Sequence, residues 1–149
     1  MEKINLTVSD DVSKKMIDAL LVNGDLETGG VLIGNKIAGN HFQIIDISIS
    51  ETNKHSTFAS FIREPRESTL LLQKHFNNAT GFYLGEWHSH PNFSLHPSHQ
   101  DVRTMKKILK DPSYGVSFAF LLIVQLINGK LNARAFCFHQ ELKNFITLE

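Results

Sequence analysis

Three residues between Glu86 and Asp101 have side chains that together could bind one metal ion. His88 and His90 are separated by a single residue, and Asp101 follows His90 after ten intervening residues. Residues i and i+2 of a strand point to the same face of a sheet, so both imidazoles can reach one ion if residues 83–90 form a strand. Two neutral nitrogens and one carboxylate oxygen suit a catalytic zinc that keeps a fourth position for water.

A strand, a loop and a helix must bring these side chains together. Pro91 cannot donate a hydrogen bond to a sheet and restricts the residue before it, so the strand is expected to end at His90. After the loop, Ser98 has the position of a helix N-cap, which places Asp101 in the first helical turn. The sequence therefore predicts a site between the end of a strand and the start of a helix.

This stretch resembles the signature of the JAMM metalloproteases, also called the MPN+ or JAB family. Their pattern is His-x-His, ten residues and an Asp, with a Ser three positions before that Asp. His88, His90, Ser98 and Asp101 meet this pattern, and Pro91 follows the second His directly. A lone His-x-His would be weak evidence, whereas four residue types at fixed offsets on a strand–loop–helix are a specific signal.

Each part of the pattern also has a simpler interpretation. Ser98 and Asp101 have nearly the form of a capping box, so both could merely begin a helix. His88 and His90 could be an exposed pair on a strand. Both interpretations together would require the full spacing to arise by accident.

A second segment, far upstream, supports the resemblance. Residues 27–34 read Glu-Thr-Gly-Gly-Val-Leu-Ile-Gly, which is similar to the family's Glu-x-x-Gly-x-Leu-x-Gly. The match puts Glu27 in the place of the family's catalytic Glu. The alternative for Glu27 is a solvated loop carboxylate, which is the usual fate of a Glu.

The resemblance assigns each of these residues a role. It implies one zinc per chain, held by His88, His90 and Asp101. It implies that Glu27 takes a proton from the attacking water and later protonates the departing nitrogen. Ser98 can cap the helix with a lone pair while its hydrogen points at the developing oxyanion.

The resemblance gives no role to three further polar residues that lie near the ligands in the sequence. Strand alternation puts Glu86 on the face of His88 and His90, where it could support the ligands or be purely structural. His96 and His99 fall in the loop or the first helical turn and are expected to be exposed.

Composition restricts the function classes. Lys plus Arg and Asp plus Glu both number 15, and no basic cluster stands out, which argues against nucleic acid as the main partner. Cys137 is the single cysteine, so no internal disulfide is expected, and a cytoplasmic location is the default. Neither a signal peptide nor an apolar run long enough to span a bilayer is visible, so no membrane partner is expected.

The periodicity predicts one α/β domain over residues 1–149, with a central mixed β-sheet flanked by helices. The resemblance makes this a JAB/MPN domain of cytidine-deaminase-like fold. Residues 41–50 are expected to place Ile45, Ile47 and Ile49 on one face and Phe42 and Ile44 on the other. The predicted strands cover residues 4–8, 30–37, 41–50, 57–62, 83–90, 116–125 and 131–138, with a final strand or short helix at 145–148.

Three helices complete the predicted fold. The first lies between Ser9 and Gly24, and the third runs from Ser98 to Asp111. The second opens at Pro65 and ends near residue 77, with Leu70, Leu71 and Phe76 as its apolar stripe. Strand 116–125 is the most hydrophobic and is expected to be central, and Cys137 is expected to be a small core residue.

The resemblance implies a zinc-dependent isopeptidase or peptidase that cleaves after the C-terminal Gly of a ubiquitin-like protein. Short prokaryotic members often accompany E1-like and E2-like proteins, including in antiphage defence, and others process sulfur-carrier proteins. Two alternatives remain: a non-catalytic MPN-type scaffold, and hydrolysis of another amide. A zinc nucleobase deaminase is excluded because its Pro-Cys-x-x-Cys element is absent from the sequence.

Overall fold

The computed structural model describes residues 3–50 and 66–148, and within these ranges seven strands form one sheet with three helices packed around it. The strands are β1 (Asn5–Val8), β2 (Gly29–Ala38), β3 (His41–Ile47), β4 (Phe82–Ser89), β5 (Phe118–Ile127), β6 (Lys130–His139) and β7 (Ile146–Thr147). The helices are α1 (Asp10–Asn23), α2 (Arg66–Asn78) and α3 (His99–Lys110). The predicted strand 57–62 lies outside the described residues.

The sheet is mixed, as predicted, and its strand order is β1-β3-β2-β4-β5-β6-β7. The β1/β3 and β4/β5 pairs are parallel, and the other neighbouring pairs are antiparallel. Strand β4, which carries the two histidines, has three strands on each side. The hydrophobic β5 lies directly beside it, in the interior of the sheet. The site is therefore built from the middle of the fold.

The two faces of the sheet pack against different helices. On one face, Met16 of α1 belongs to a buried cluster with Trp87 and Phe120. On the other face, Met105 of α3 belongs to a cluster with Leu121 and Ile123. Alternate residues of β5 thus enter opposite cores, as strand periodicity requires. Cys137 is buried in the first cluster, as predicted.

Helix α1 begins and ends where its sequence predicts. The Ser9 hydroxyl accepts a hydrogen bond from Val12 N at 3.3 Å, and Gly24 adopts a φ of +58° after the last turn. The Gly24 N–H donates to Leu20 O at 3.0 Å. These end contacts satisfy backbone groups that a helix leaves open. In the described ranges, every helix is too short or too polar to cross a membrane.

Helix α2 is attached to the sheet mainly by polar contacts. Its predicted apolar stripe is wrong in part, because Leu70 is 59% and Phe76 is 82% exposed. Instead, the buried His75 ring contacts Asp46 Oδ2 of β3 through Nε2 at 2.8 Å and Thr80 Oγ1 through Nδ1 at 2.8 Å. Lys15 of α1 reaches the other oxygen of Asp46 at 2.9 Å. One carboxylate therefore joins two helices to β3.

A β-bulge in β3 reverses the predicted alternation of its side chains. Asp46 pairs with Ile33 and Ile44 pairs with Gly34, so Ile45 has no partner in β2. Because the extra residue shifts the period, Ile44 and Ile47 enter the same core cluster. The prediction that Ile45 shares a face with Ile47 is therefore wrong.

A second bulge shapes β4 just before the histidines. Gly85 pairs with Leu32 and Tyr83 pairs with Ile33, so Leu84 is the extra residue. Gly85 has a φ of +150°, and a Cβ at this position would lie 1.9 Å from Phe120 O. Only glycine fits such a close approach of two parallel strands.

Replacing Gly85 by Ala is expected to destabilise the protein by at least about 1–3 kcal/mol, the usual cost of a strained backbone, with the clash against β5 adding to it. Chemical denaturation of the variant should show the loss as a lower midpoint. Gly39→Ala is the matched control for a glycine at positive φ, since nothing lies within 4 Å of its Cβ position. Equal losses in both variants would show that the clash with Phe120 adds nothing.

Candidate metal centre

The structure brings the three predicted ligands into one buried cluster. His88 Nε2 lies 2.8 Å from His90 Nε2. Asp101 Oδ2 lies 3.4 Å from His88 Nε2 and 3.5 Å from His90 Nε2. Zinc bonds of about 2.0–2.2 Å at tetrahedral angles separate neighbouring ligand atoms by about 3.3–3.5 Å. In the triangle of these three atoms, the two edges that end on Asp101 have this length, and the 2.8 Å edge between the two histidines is shorter.

The side-chain chemistry of the cluster suits a cation, although the two histidines differ in their pKa shifts. Burial opposes a charge on His90, but Asp101 and the Ser94 carbonyl outweigh it and raise the His90 pKa. His90 Nδ1 donates to Ser94 O at 2.7 Å, which leaves the Nε2 lone pair facing the cluster. Burial lowers the pKa of His88, which favours its neutral, ligating form. Burial opposes the charge on Asp101, but the neighbouring His88 and His90 rings outweigh it and hold the Asp101 pKa well below its ordinary value. The donor set is therefore two imidazoles and one carboxylate.

Ser98 and Asp101 form a complete capping box at the start of α3. The Asp101 N–H donates to Ser98 Oγ at 3.0 Å, and the Ser98 N–H donates to Asp101 Oδ2 at 2.8 Å. The simpler interpretation of this pair is thus correct, and it does not compete with the metal-binding one. The same Oδ2 atom faces both imidazoles. Capping fixes the ligand, and it uses only a lone pair of the Ser98 hydroxyl.

Glu27 is carried to the site by the residue that follows it. The Thr28 N–H donates to Ser89 Oγ at 3.0 Å, and the Ser89 N–H donates to Thr28 O at 2.9 Å. Ser89 lies between the two histidine ligands in the chain. Because both hydrogen bonds are buried, they fix the start of β2 against the end of β4. Glu27 is half-buried at this junction.

Gly29 allows this close approach. It pairs with His88, and a Cβ on Gly29 would lie 2.3 Å from Trp87 O and 2.9 Å from His88 Cβ. A larger residue would push β2 away from β4 and carry Glu27 with it. A glycine is therefore needed at position 29, because β2 contacts β4 closely beside the predicted ligands.

The environment of Glu27 suits proton transfer near neutral pH. Burial raises the pKa of its carboxyl to about 7, with His90 opposing the rise and Asp101 adding to it. A group whose pKa lies near the working pH can both accept and return a proton. The same shifts show that Glu27 is electrostatically coupled to two of the three ligands.

Removing the Glu27 charge should stabilise the metal-free protein at alkaline pH. The folded-state pKa is raised from 4.5 to about 7, so the unfolded chain releases this proton first and stability falls as pH rises across that window. Glu27→Gln cannot ionise, so its melting temperature should exceed that of wild type at pH above 7 and match it near pH 4.5. Thermal melts of chelator-treated protein across this range provide the measurement. A constant difference at all pH values would contradict the shifted pKa.

Glu86 is buried and binds another residue of its own strand. The Tyr83 hydroxyl donates to its carboxylate, and the Tyr83 ring packs against Tyr114 with centroids 5.3 Å apart and the ring planes tilted by 58°. Burial raises the Glu86 pKa to about 8, although the Tyr83 hydrogen bond opposes the rise. Of the two interpretations offered for Glu86, this contact favours the structural one. His96 and His99 are exposed, as predicted.

Two residues that sequence reasoning missed hold the loop after His90. Gln125 Nε2 donates to His90 O at 2.9 Å and to Phe93 O at 3.0 Å. Asn92 Nδ2 donates to Asp25 Oδ1 at 3.3 Å, across to the segment before Glu27. The sequence could have indicated Gln125, because it is a polar residue within the otherwise apolar β5.

Apolar side chains flank the cluster on the solvent side. The Phe93 ring stacks on His90 with centroids 4.3 Å apart and is 51% exposed. Leu26, beside Glu27, is 45% exposed. Single exposed apolar residues are common, but these two lie on the loops that flank the cluster. They are available to contact an extended chain that enters the site.

Residues 9–137 match the family model described as prokaryotic homologs of the JAB domain. The chain is 29% identical over 110 residues to a CD-NTase/cGAS isopeptidase from Enterobacter hormaechei, covering 73% of this chain and 61% of that protein. It is 34% identical over 80 residues to a CD-NTase/cGAS isopeptidase from Escherichia coli, covering 52% of this chain and 51% of that protein.

A third relative and a solved structure also resemble the chain. The chain is 27% identical over 108 residues to the probable metalloprotease y4qB from Sinorhizobium fredii, covering 68% of this chain and 66% of that protein. It thus spans about half to two thirds of the length of the curated relatives it matches. The solution structure of protein DSY2949 from Desulfitobacterium hafniense superposes with a TM-score of 0.66 at 19% identity, covering 97% of this chain and 90% of that one. This likeness shows the fold.

Proposed function

Because this chain belongs to the prokaryotic homologs of the JAB domain, we propose that it is a zinc-dependent isopeptidase that cleaves after the C-terminal Gly of a ubiquitin-like protein. One observation carries the proposal: the His88, His90 and Asp101 ligand atoms converge within 4.8 Å of one another, and the Glu27 carboxyl is coupled to two of these residues.

Zinc is the ion that this donor set favours. Catalytic zinc sites take three protein ligands from His and carboxylate side chains and leave one position open, and the cluster offers two histidines and one aspartate. We propose one ion per chain, held by His88, His90 and Asp101. Bound zinc would lower the pKa of a water molecule and polarise the scissile carbonyl.

The residues of the chain supply the proton transfers of the proposed reaction. Glu27 removes a proton from the attacking water as the new C–O bond forms at the glycine carbonyl carbon. The C–N bond then breaks, and Glu27 returns that proton to the departing nitrogen. Ser98 keeps its lone pair on the Asp101 N–H, so its hydroxyl hydrogen is available to the oxyanion.

The substrate proposal rests on the relatives and on the exposed Phe93 beside the cluster. Two relatives are named CD-NTase/cGAS isopeptidases, so we propose a protein conjugate as the substrate, with a CD-NTase conjugate as the first to be assayed. An extended glycine tail has no side chains and could approach the cluster closely beside Phe93, whose ring stacks on His90. E1-like and E2-like proteins of an antiphage system are the proposed partners, in the cytoplasm, and residues 1–149 are proposed to act as a single domain.

Replacing Ser98 by Ala is expected to slow hydrolysis by about 10²–10³-fold, the usual effect of losing one oxyanion donor. The metal should remain, because Asp101 is still present. The change also removes a helix cap, which costs about 1 kcal/mol of stability. Steady-state kinetics and a thermal melt must therefore be measured together. A folded, metal-loaded variant with the wild-type rate would exclude Ser98 from the reaction.

The function is tested with conjugates that share one kind of isopeptide bond and differ in the protein whose C-terminal residue forms it. A ubiquitin-like protein, a sulfur-carrier protein and a CD-NTase, each joined through its C-terminal residue to a lysine side chain, are incubated with the zinc-loaded protein. The proposal predicts release of the ubiquitin-like protein or the CD-NTase, and no release in the presence of chelator. Cleavage of the sulfur-carrier conjugate alone would favour processing of that class. Tight binding of every conjugate without release would favour a scaffold.

A further inference from the structure

Helix α3 presents a continuous basic stripe to solvent. Its exposed basic residues follow the spacing i, i+3, i+4 and i+7, which places them on one side of the helix. The opposite side is buried in the second core cluster. The stripe consists of Arg103, Lys106, Lys107 and Lys110. Although the whole chain has no net charge, this helix gathers four cations on one face, so the expectation that no basic cluster stands out is wrong for α3.

Nothing in the described part of the chain neutralises these cations. No carboxylate within residues 3–50 and 66–148 forms an ion pair with any of the four. Like charges at i and i+4, such as Lys106 and Lys110, destabilise a helix. The helix dipole stabilises positive charge only near the C-terminus, so it does not stabilise the charge of Arg103. A negatively charged binding partner would offset the repulsion among these four cations.

The stripe continues into a groove of about 510 Å³ at the C-terminal end of α3. Lys106, Lys110 and Lys143 surround it, and Leu109 and Leu142 also line it. Gln140 fixes the base of the groove, because its Nε2 donates to Leu109 O at 3.0 Å and to Val116 O at 3.1 Å. The groove therefore joins three cations to an apolar surface on a well-supported base.

We propose that this stripe and groove dock an acidic polypeptide segment carrying an apolar side chain, on the protein from which the ubiquitin-like or CD-NTase tail is removed. The inference rests on the proposed function. Helix α3 begins at the metal cluster with Asp101 and ends at Lys110 beside the groove. At 1.5 Å per residue the two ends are separated by roughly 13 Å. A segment docked on the stripe would thus lead directly to the scissile bond.

The groove fits an acidic polypeptide better than a nucleic acid. Leu109 and Leu142 line it, which suits a Leu or Val of a peptide, and among the described residues of its lining His139 has the one aromatic ring on which a base could stack. Three lysines on a small groove match a few carboxylates and fall short of a backbone of regular phosphates. Because the positive charge is confined to one small groove, it favours binding of a segment of a protein surface.

Binding is tested without catalysis, on the metal-free protein. The probe is a short fluorescein-labelled peptide of Glu and Leu, followed by fluorescence anisotropy at low and moderate salt. The triple variant Lys106→Glu, Lys110→Glu, Lys143→Glu should bind it about tenfold more weakly or worse. The matched control reverses three exposed lysines that do not line the groove, Lys14, Lys36 and Lys130, and should bind within about twofold of wild type. Circular dichroism checks that both variants are folded.

Hydrolysis provides the second readout. With a protein conjugate that has an acidic segment, the triple variant should raise KM by about tenfold and leave kcat unchanged. With a small glycine-amide reporter, which cannot reach the groove, the two enzymes should be equal. A docking residue predicts this split, whereas damage to the active site would lower kcat for both substrates.

The outcomes separate the docking inference from the proposed function. Peptide binding that depends on the three lysines supports docking, even if wild type hydrolyses no conjugate. Absence of peptide binding together with an unchanged KM overturns docking, even if hydrolysis is fast. Tighter binding of a single-stranded oligonucleotide than of the peptide, lost in the same triple variant, would overturn it in favour of a nucleic-acid surface.

Discussion

Replacing Glu27 by Gln is expected to lower the rate of amide hydrolysis by about 10²–10⁴-fold, toward the upper end because one residue serves both proton transfers. Gln has nearly the same volume and cannot carry the proton. Glu27 is not among the clustered ligand atoms, so the metal content should not change. The hydrogen bonds between Thr28 and Ser89 use no atom of Glu27, so the fold should also survive.

The measurement is kcat/KM across pH, with the metal content of each sample determined alongside. Wild type should lose activity as pH falls and Glu27 becomes protonated, with the midpoint at or below about 7, because a bound cation would lower this pKa further. Glu141→Gln is the control, since Glu141 is exposed and lies at the end of β6. A Glu27→Gln variant that hydrolyses as fast as wild type would remove Glu27 from the mechanism.

Replacing His88 by Ala is expected to abolish both metal retention and hydrolysis. Changes to residues that merely support a ligand cost about 10–100-fold in metal affinity, and loss of a ligand should cost more. His88 is 1% exposed, so no side chain from solvent can take its place without rearrangement. His90 and Asp101 alone leave a two-ligand site open to water.

Elemental analysis of protein purified without added metal tests this expectation. Wild type should contain one zinc per chain, and His88→Ala should contain almost none. His99→Ala is the matched control, because His99 is an exposed histidine at the start of α3, near the site. Full zinc occupancy in His88→Ala would remove the basis of the proposed metal centre.

The parts of the fold that depend on residues three or four apart could be predicted from the sequence. Ser98 and Asp101 cap α3 as expected, and Gly24 ends α1. The Asn128–Gly129 dipeptide, a type that favours hairpin turns, forms the turn between β5 and β6 with φ values of +52° and +75°. These features are local because both partners of each contact are close in the chain. The spacing of His88 and His90 on a strand has the same character.

The bulges could not be predicted, because each depends on the partner strand. The extra residues Ile45 and Leu84 are defined only by their register against β2. Both change which side chains share a face, and the second brings Tyr83 onto the face of Glu86. The alternation of side chains along one strand does not show which residue will lack a pairing residue in the neighbouring strand.

The support of the site is also nonlocal. The contact between Thr28 and Ser89 spans 61 residues, and the contact between Gln125 and His90 spans 35. Sequence reasoning identified the residues that face the reaction, because their chemistry and spacing are distinctive. It missed those that hold them, because Ser and Gln side chains have many uses and only the fold decides among them.

The most direct test of the proposed function is hydrolysis of an isopeptide-linked conjugate in heavy-oxygen water, followed by intact mass spectrometry of both products. Zinc-loaded wild type should release the lysine-bearing protein unlabelled and should leave a labelled oxygen in the newly formed glycine carboxylate. Chelator-treated protein and Glu27→Gln should give neither product at a comparable rate. An intact conjugate after prolonged incubation with the zinc-loaded protein, across ubiquitin-like and CD-NTase conjugates, would contradict the proposal that this chain is an isopeptidase.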